Sequence, residues 1–284
     1  MASHKQILIC TDLDRTLLPN GSQVESSNAR PLFHELVNRP EVCLAYVSGR
    51  DKGLLLEAIA EYDLPTPNFA IADVGTTIYA IKNNNWRIWA KWHDEIATDW
   101  GTYNQSSLSQ LLSDLTELRL QEPTKQGKYK LSYYADEHID TIKLFHEINA
   151  RLHAHDIKAN LIWSIDETTH TGLLDILPQS ANKLHAIHFL MKEQGFLPGQ
   201  VVFAGDSGND LEVLCSDLQA VLVANATTEV RQQALTLAKE NGSESKLYIA
   251  NGSMAGMNGN YAAGILEGVA HYLPETLSWI KLKN

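Results

Sequence analysis

Five short apolar runs, each ending abruptly at a polar residue or a glycine, set the strongest limit on how this chain can fold. Residues 7–11 run into Asp12, 43–47 into Ser48-Gly49-Arg50, and 69–72 into Asp73. Residues 201–204 run into Gly205-Asp206, and 221–224 into Asn225. None alternates apolar with polar positions, so each reads as a strand buried on both faces, as in a parallel sheet covered by helices. Between the runs, Leu54, Leu55, Ala58, Ile59 and Tyr62 recur at helical spacing, as do Leu184, Ile187, Leu190 and Met191. Strands alternating with helices predict a doubly wound α/β sheet, Rossmann-like in plan. Ligands bind such sheets beyond the carboxyl ends of the strands, where Asp12, Ser48 and Asp206 fall.

The middle of the chain has a different texture. Trp86, Trp89, Trp92 and Trp100 crowd its first part, with the first three near helical spacing, as on a helix face that is buried. Residues 128–134 alternate like a half-exposed strand, a helical pattern covers 144–152, and 160–164 read as another strand. A smaller α+β module inserted in the core is expected: core 1–81, insert 82–174, core 175–284. The glycine-rich segment 251–260 lacks the Gly-Lys-Ser/Thr of a nucleotide-binding loop and reads as a flexible connection.

Charge narrows the function. A net charge of −11 over 284 residues offers no basic stripe for nucleic acid and no attraction to anionic lipid. A phosphorylated substrate would therefore need a local cation, most simply a bound metal. The three cysteines are far apart and form no C-x-x-C pair, and the paired histidines (His153/His155, His185/His188) lack a third ligand. The first ten residues lack the apolar core of a signal peptide, and no uncharged apolar run reaches about 18 residues, so a soluble, cytoplasmic, monomeric protein is expected.

Four elements carry chemistry. Asp12-Leu13-Asp14-Arg15-Thr16 puts two carboxylates just past a buried strand. Their repulsion could be relieved by a divalent cation such as magnesium. Alternatively, one carboxylate could act as nucleophile and its neighbour, protonated, as general acid. An aspartate capping the next helix would explain one of them equally well. Ser48-Gly49 offers a hydroxyl and an unhindered amide to a phosphate oxygen. Lys183 stands at the start of a helix, where an anion is already favoured. Gly205-Asp206-Ser207-Gly208-Asn209-Asp210 sets two acids four residues apart, with glycines that let both face one strand end.

In this order and context the four elements resemble the haloacid dehalogenase superfamily of phosphatases, in the branch whose cap is inserted between the second and third. Val74-Gly75-Thr76-Thr77-Ile78-Tyr79, Lys130-Leu131-Ser132-Tyr133-Tyr134, Asp175-Ile176-Leu177-Pro178-Gln179 and residues 264–272 are similar to the sucrose-phosphate phosphatase subfamily. Thr77 stands where that subfamily often has an acid, and Arg15 where many superfamily members have Gly or Asn.

The resemblance implies a magnesium-dependent phosphatase. In it, Asp12 would attack phosphorus and form an aspartyl-phosphate, and Asp14 would act as acid and then base. Asp12, the Asp14 carbonyl and Asp206 would hold the metal, with Asp210 behind them, while Ser48, Gly49, Lys183 and Asn209 would hold the phosphoryl oxygens. Sucrose 6-phosphate is the leading substrate. Alternatives are another glycosyl or disaccharide phosphate, such as mannosylfructose phosphate or a phosphoglycerate glycoside, and a hexose phosphomutase. A sugar-phosphate-binding scaffold of a synthase is the non-enzymatic alternative, and such a synthase is the expected macromolecular partner. The alternation at 128–134 places Lys130, Ser132 and Tyr134 on one face, and makes Lys130 the candidate contact to the sugar.

Overall fold

The computed structural model describes residues 6–166 and 169–281. Its first half runs β1 (Ile7–Thr11), α1 (Ala29–Val37), β2 (Val42–Val47), α2 (Lys52–Glu61), β3 (Phe69–Ala72), β4 (Thr77–Lys82), β5 (Asn85–Ile88), α3 (Ala90–Ala97) and α4 (Gln105–Leu111). Then follow β6 (Arg119–Leu120), β7 (Leu131–Asp136), α5 (Thr141–Ala154), β8 (Ala159–Asp166), β9 (Thr171–Pro178) and α6 (Lys183–Gln194). Last come β10 (Val201–Gly205), α7 (Leu211–Leu214), β11 (Gln219–Leu222), α8 (Thr228–Glu240), β12 (Leu247–Ile249) and α9 (Ala262–Tyr272). Among the described residues no helix is long and apolar enough to cross a membrane.

Eight strands form one sheet in the order β12-β11-β10-β1-β2-β3-β4-β5. The first six are parallel, and β4 and β5 add an antiparallel hairpin at one edge. The parallel strands are apolar almost throughout, Thr11 and Gln219 aside, because both faces are covered. Ile7 and Ile9 pack with Phe33 of α1 and Ile265 of α9, while Leu8 and Cys10 pack with Ile187 and Leu190 of α6. From β1 the chain first builds outward through β2 and β3, then returns to β10 on the other flank and builds outward again. The order of the sheet therefore reverses between β1 and β10.

A second sheet, β6-β7-β9-β8, is antiparallel throughout. It shares a separate core with α4 and α5, built on Trp100, Leu108, Leu144, Ile148, Tyr133 and Leu174. Asp140 opens α5 by accepting the Lys143 N–H.

The tryptophan-rich stretch is not one helix face. Trp86 lies on β5, Trp89 precedes α3 and stacks on Phe69 at 5.5 Å, and Trp92 of α3 is buried against Phe189. Near-helical spacing arose by accident across a strand-to-helix junction. The hairpin before it turns on Asn83 and Asn84, both left-handed (φ +52° and +59°), a conformation asparagine tolerates better than most residues. β5 and α3 fall within 82–174 by number but pack on the large sheet. Strand β7 also differs from the expected half-exposed ribbon. It starts at Leu131, and Leu131, Ser132 and Tyr133 are all buried, because β6 and β9 flank it and α4 covers it.

Candidate active site

Asp12 and Asp206 leave the carboxyl ends of β1 and β10, the two adjacent strands at which the sheet reverses. The Asp12 N–H still donates to Ala204 O at 2.9 Å, so the ladder fixes its position. After Asp206 the chain turns tightly through Gly208–Asp210. The Asp210 carboxylate brackets that turn, accepting the Asp206 and Ser207 N–H groups at 3.1 Å each through Oδ2. Gly205 is what admits it: a Cβ there would stand 2.6 Å from the Asp210 carboxyl carbon. Thr16 Oγ1 donates to Asp206 Oδ1 at 3.0 Å.

Carboxylate oxygens of Asp12, Asp206 and Asp210 lie within 4.8 Å of one another, all three residues buried. Lys183 enters from the first turn of α6, which Asn182 caps by accepting the His185 N–H. Its buried Nζ donates to Asp210 Oδ1 at 2.7 Å and to Asn209 Oδ1 at 3.2 Å, and lies 3.3 Å from Asp12 Oδ1. One lysine does not balance three carboxylates. Burial, then the Asp210 charge, pushes the Asp12 carboxyl up to about 8 against the pull of Lys183. The same two causes raise Asp206 to about 6. Burial would lower Lys183, but Asp210 and Asp12 outweigh it and hold the ammonium charged.

Asp14 is arranged differently. Arg50 Nε and Nη2 donate to its two oxygens at 2.8 and 2.6 Å, and Asn20 Nδ2 donates at 2.7 Å. Burial raises its pKa, and these donors and the Arg50 charge more than reverse that, leaving it below the ordinary carboxylate value. Ser48 is buried after β2, with its N–H on Ile71 O and its Oγ accepting the Arg50 N–H. Gly49 beside it opens onto space.

A family profile described as sucrose-6F-phosphate phosphohydrolase matches residues 5–273. The chain belongs to this family. A relative from Nitrosococcus oceani, named as a HAD-like hydrolase, is 57% identical over 98% of this chain and 74% of its own length. Sucrose-phosphatase 2 of Nicotiana tabacum is 29% identical over 95% of this chain, which spans 60% of that relative's length. The solved sucrose-phosphatase of Synechocystis sp. PCC6803, in complex with sucrose and phosphate, shares the fold with a TM-score of 0.68. It is 24% identical, the alignment covering 94% of this chain and 98% of that one. Membership makes the chain a phosphoric monoester hydrolase with the haloacid dehalogenase core.

The structure thus gathers Asp12, Lys183, Asp206 and Asp210 into one buried cluster with the exposed Asn209 at its edge, and sets Asp14 on Arg50, the residue after Ser48-Gly49. Lys130 lies outside β7, immediately before its first residue. Its Nζ is 3.8 Å from Asp175 Oδ1 on β9, and its charge reaches Asp73 at the end of β3. Ser132 Oγ also donates to Asp175, whereas Tyr134 donates to Glu122.

Sequence reasoning gave no role to Thr16, Asn20, Arg50 or Asn225. Arg50 could have been suspected from its place directly after the Ser-Gly pair. Asn20 acts on Asp14 and Arg15 a few residues before it, while Thr16 and Asn225 act through partners that no local spacing reveals.

Proposed function

We propose that this chain hydrolyses sucrose 6-phosphate to sucrose and phosphate in a magnesium-dependent reaction with Asp12 as nucleophile. The observation that carries this reading is the Asp12 carboxylate, buried at the sheet's reversal point, beside Lys183 and inside a group of three acids. The donor set suits magnesium: hard carboxylate oxygens, close together, with more negative charge than Lys183 offsets. Asp12 and Asp206 would hold the ion with the Asp14 backbone carbonyl, and Asp210 would orient them from behind. Bound there, magnesium would supply Lewis-acid stabilisation of charge on the phosphoryl oxygens.

An Asp12 oxygen attacks phosphorus as the bond to the sugar oxygen breaks, and Asp14 gives that oxygen a proton. Asp14 then takes a proton from water, whose oxygen displaces phosphate from Asp12 and restores the carboxylate. Because Asp14 is held ionised against Arg50 and Asn20, its acid role requires substrate entry to open that pair. Ser48 Oγ, the Gly49 N–H, Asn209 and Lys183 would hold the phosphoryl oxygens.

The unit from α4 to β9 would be the lid, with Lys130 and Asp175 turned to the sugar. An ion pair near the strand ends, Lys125 with Asp51 at 3.7 Å, ties this unit to its surroundings, and Lys130 pairs with Asp175 within it.

The test is phosphate release from sucrose 6-phosphate, trehalose 6-phosphate, hexose phosphates and an aryl phosphate, with and without magnesium. Sucrose 6-phosphate should give the highest kcat/KM, and a chelator should abolish it. Asp12→Asn should lower kcat by at least about a hundredfold with folding intact. A hexose phosphate turned over faster would replace the substrate reading, and an active Asp12→Asn would replace the nucleophile.

A further inference from the structure

Arg15 holds a position whose backbone does not ask for an arginine. Its φ of +58° lies in the left-handed region, which glycine or asparagine enters more readily than a long side chain. That backbone is fixed from both sides by its neighbours. The Arg15 N–H donates to Asn20 Oδ1 at 2.8 Å, and its carbonyl accepts from Asn225 Nδ2 at 2.6 Å. Asn225 is buried and in turn accepts the Tyr261 N–H at 2.8 Å. The turn is thus shaped without help from the Arg15 side chain.

The side chain is aimed at the acidic cluster. Arg15 Nε is buried and has no hydrogen-bond partner, although a surface guanidinium normally gives that proton to water or an acceptor. It stands 3.6 Å from Asp206 Oδ2, too far for a hydrogen bond and close enough for an ion pair. The rest of the side chain reaches solvent, with 42% of it exposed.

We infer that Arg15 is a built-in counter-cation to the acidic triad, competing with divalent metal for Asp206 and thereby setting the metal concentration at which the site fills. The inference rests on the reading that Asp12, Asp206 and Asp210 hold magnesium. Without metal, Lys183 faces Asp12 and Asp210, and Arg15 adds a second positive charge over the remaining acid. A divalent ion on Asp206 would bring two further positive charges close to that guanidinium. Either the ion binds more weakly, or Arg15 swings toward solvent and gives up its ion pair. Both routes weaken metal binding, and by linkage metal binding loosens Arg15 by the same factor.

The experiment titrates Mn2+ into the full chain, stripped of metal and free of substrate, and follows free Mn2+ by electron paramagnetic resonance. Arg15→Gln removes the charge at similar length, and Arg15→Asn removes it while suiting the left-handed backbone, so a folded neutral variant is secured. Both should bind Mn2+ roughly five- to twentyfold more tightly than the parent at low ionic strength, the difference shrinking as salt rises. Arg15→Lys, which keeps the charge, should stay within about twofold of the parent. The rise in Tm on adding magnesium should be larger in both neutral variants than in the parent. Equal or weaker Mn2+ binding by folded neutral variants overturns the inference and leaves the metal reading standing. Mn2+ binding to none of the proteins overturns the metal reading, and this inference with it.

Discussion

Asp12, Asp206 and Asp210 crowd three carboxyl groups around one spot, and the structure shows the consequence in the raised proton affinities of Asp12, to about 8, and Asp206, to about 6. In the unfolded chain both groups ionise near about 3.9. Between roughly pH 4 and 8 the folded protein therefore keeps protons that the unfolded chain has lost, and stability falls as pH rises through that window. Metal-free protein should melt lower at pH 8 than at pH 6 on account of this site, and magnesium should remove the difference by taking the protons' place. Asp206→Asn deletes one of the two groups, so its Tm should fall less between those pH values. An unchanged pH slope in Asp206→Asn would contradict the assignment. Asp12 and Asp206 were visible in the sequence because each closes an apolar run, and Asp210 because it stands four residues after Asp206 in a glycine-bearing turn. Thr16 and Asn225 were not, because their partners lie at Asp206 and at Arg15 and Tyr261, joined only by the fold.

Secondary structure was legible where burial on both faces leaves an unbroken apolar run, as in β1 and β3, whose observed bounds match the runs residue for residue. It was misread where a periodicity crosses a junction, as from β5 into α3. The glycine-rich stretch 251–260 was misread for another reason: what orders it is a side chain on a later helix. Glu267 of α9 is buried, and accepts the Asn251 and Gly252 N–H groups at 2.9 Å each. It also accepts the Tyr248 hydroxyl at 2.8 Å and the Ser253 hydroxyl at 3.1 Å. Asn258 and Asn260 of the same stretch both donate to Val24 O, so the loop is packed on the segment after β1. Glu267→Ala would leave two backbone donors and the half-buried Tyr248 hydroxyl without this acceptor, at a cost of about 2–4 kcal/mol. Chemical denaturation should show this as a lower midpoint at unchanged slope. Glu267→Gln, which retains one acceptor, should lose less. A midpoint within error of the parent in Glu267→Ala would mean that water replaces the carboxylate without penalty.

On the scale of the whole molecule, the proposed function divides the work between two sheets: one would carry the phosphate chemistry, and the other would tell one sugar from another. On this reading the residues around Asp12 would touch only phosphate and metal, and would treat every phosphomonoester alike. A sugar would then be read from above the strand ends, and Lys130 is the residue proposed for it. Only 13% of its side chain is exposed, its Nζ lies 3.8 Å from Asp175, and its charge is felt by Asp73 where β3 meets the rim of the site. A half-buried lysine whose ion-pair partner stands at 3.8 Å has hydrogen-bond donors to spare, which sugar hydroxyls could take. Lys130→Ala should therefore cost about 1–3 kcal/mol of transition-state binding for a disaccharide phosphate, the penalty for polar groups left unpaired. A small aryl phosphate has nothing to offer Lys130 and should keep its kcat/KM. The contrast between the two substrates is the measurement, because a folding defect or a damaged phosphate site would lower both together. Lys130→Arg keeps the charge but not the compact ammonium, so it should recover the Asp175 pair and only part of the sugar discrimination. Equal losses on both substrates would place Lys130 in folding or in phosphate binding. No loss on either would leave the sugar to be read by other residues of the small sheet.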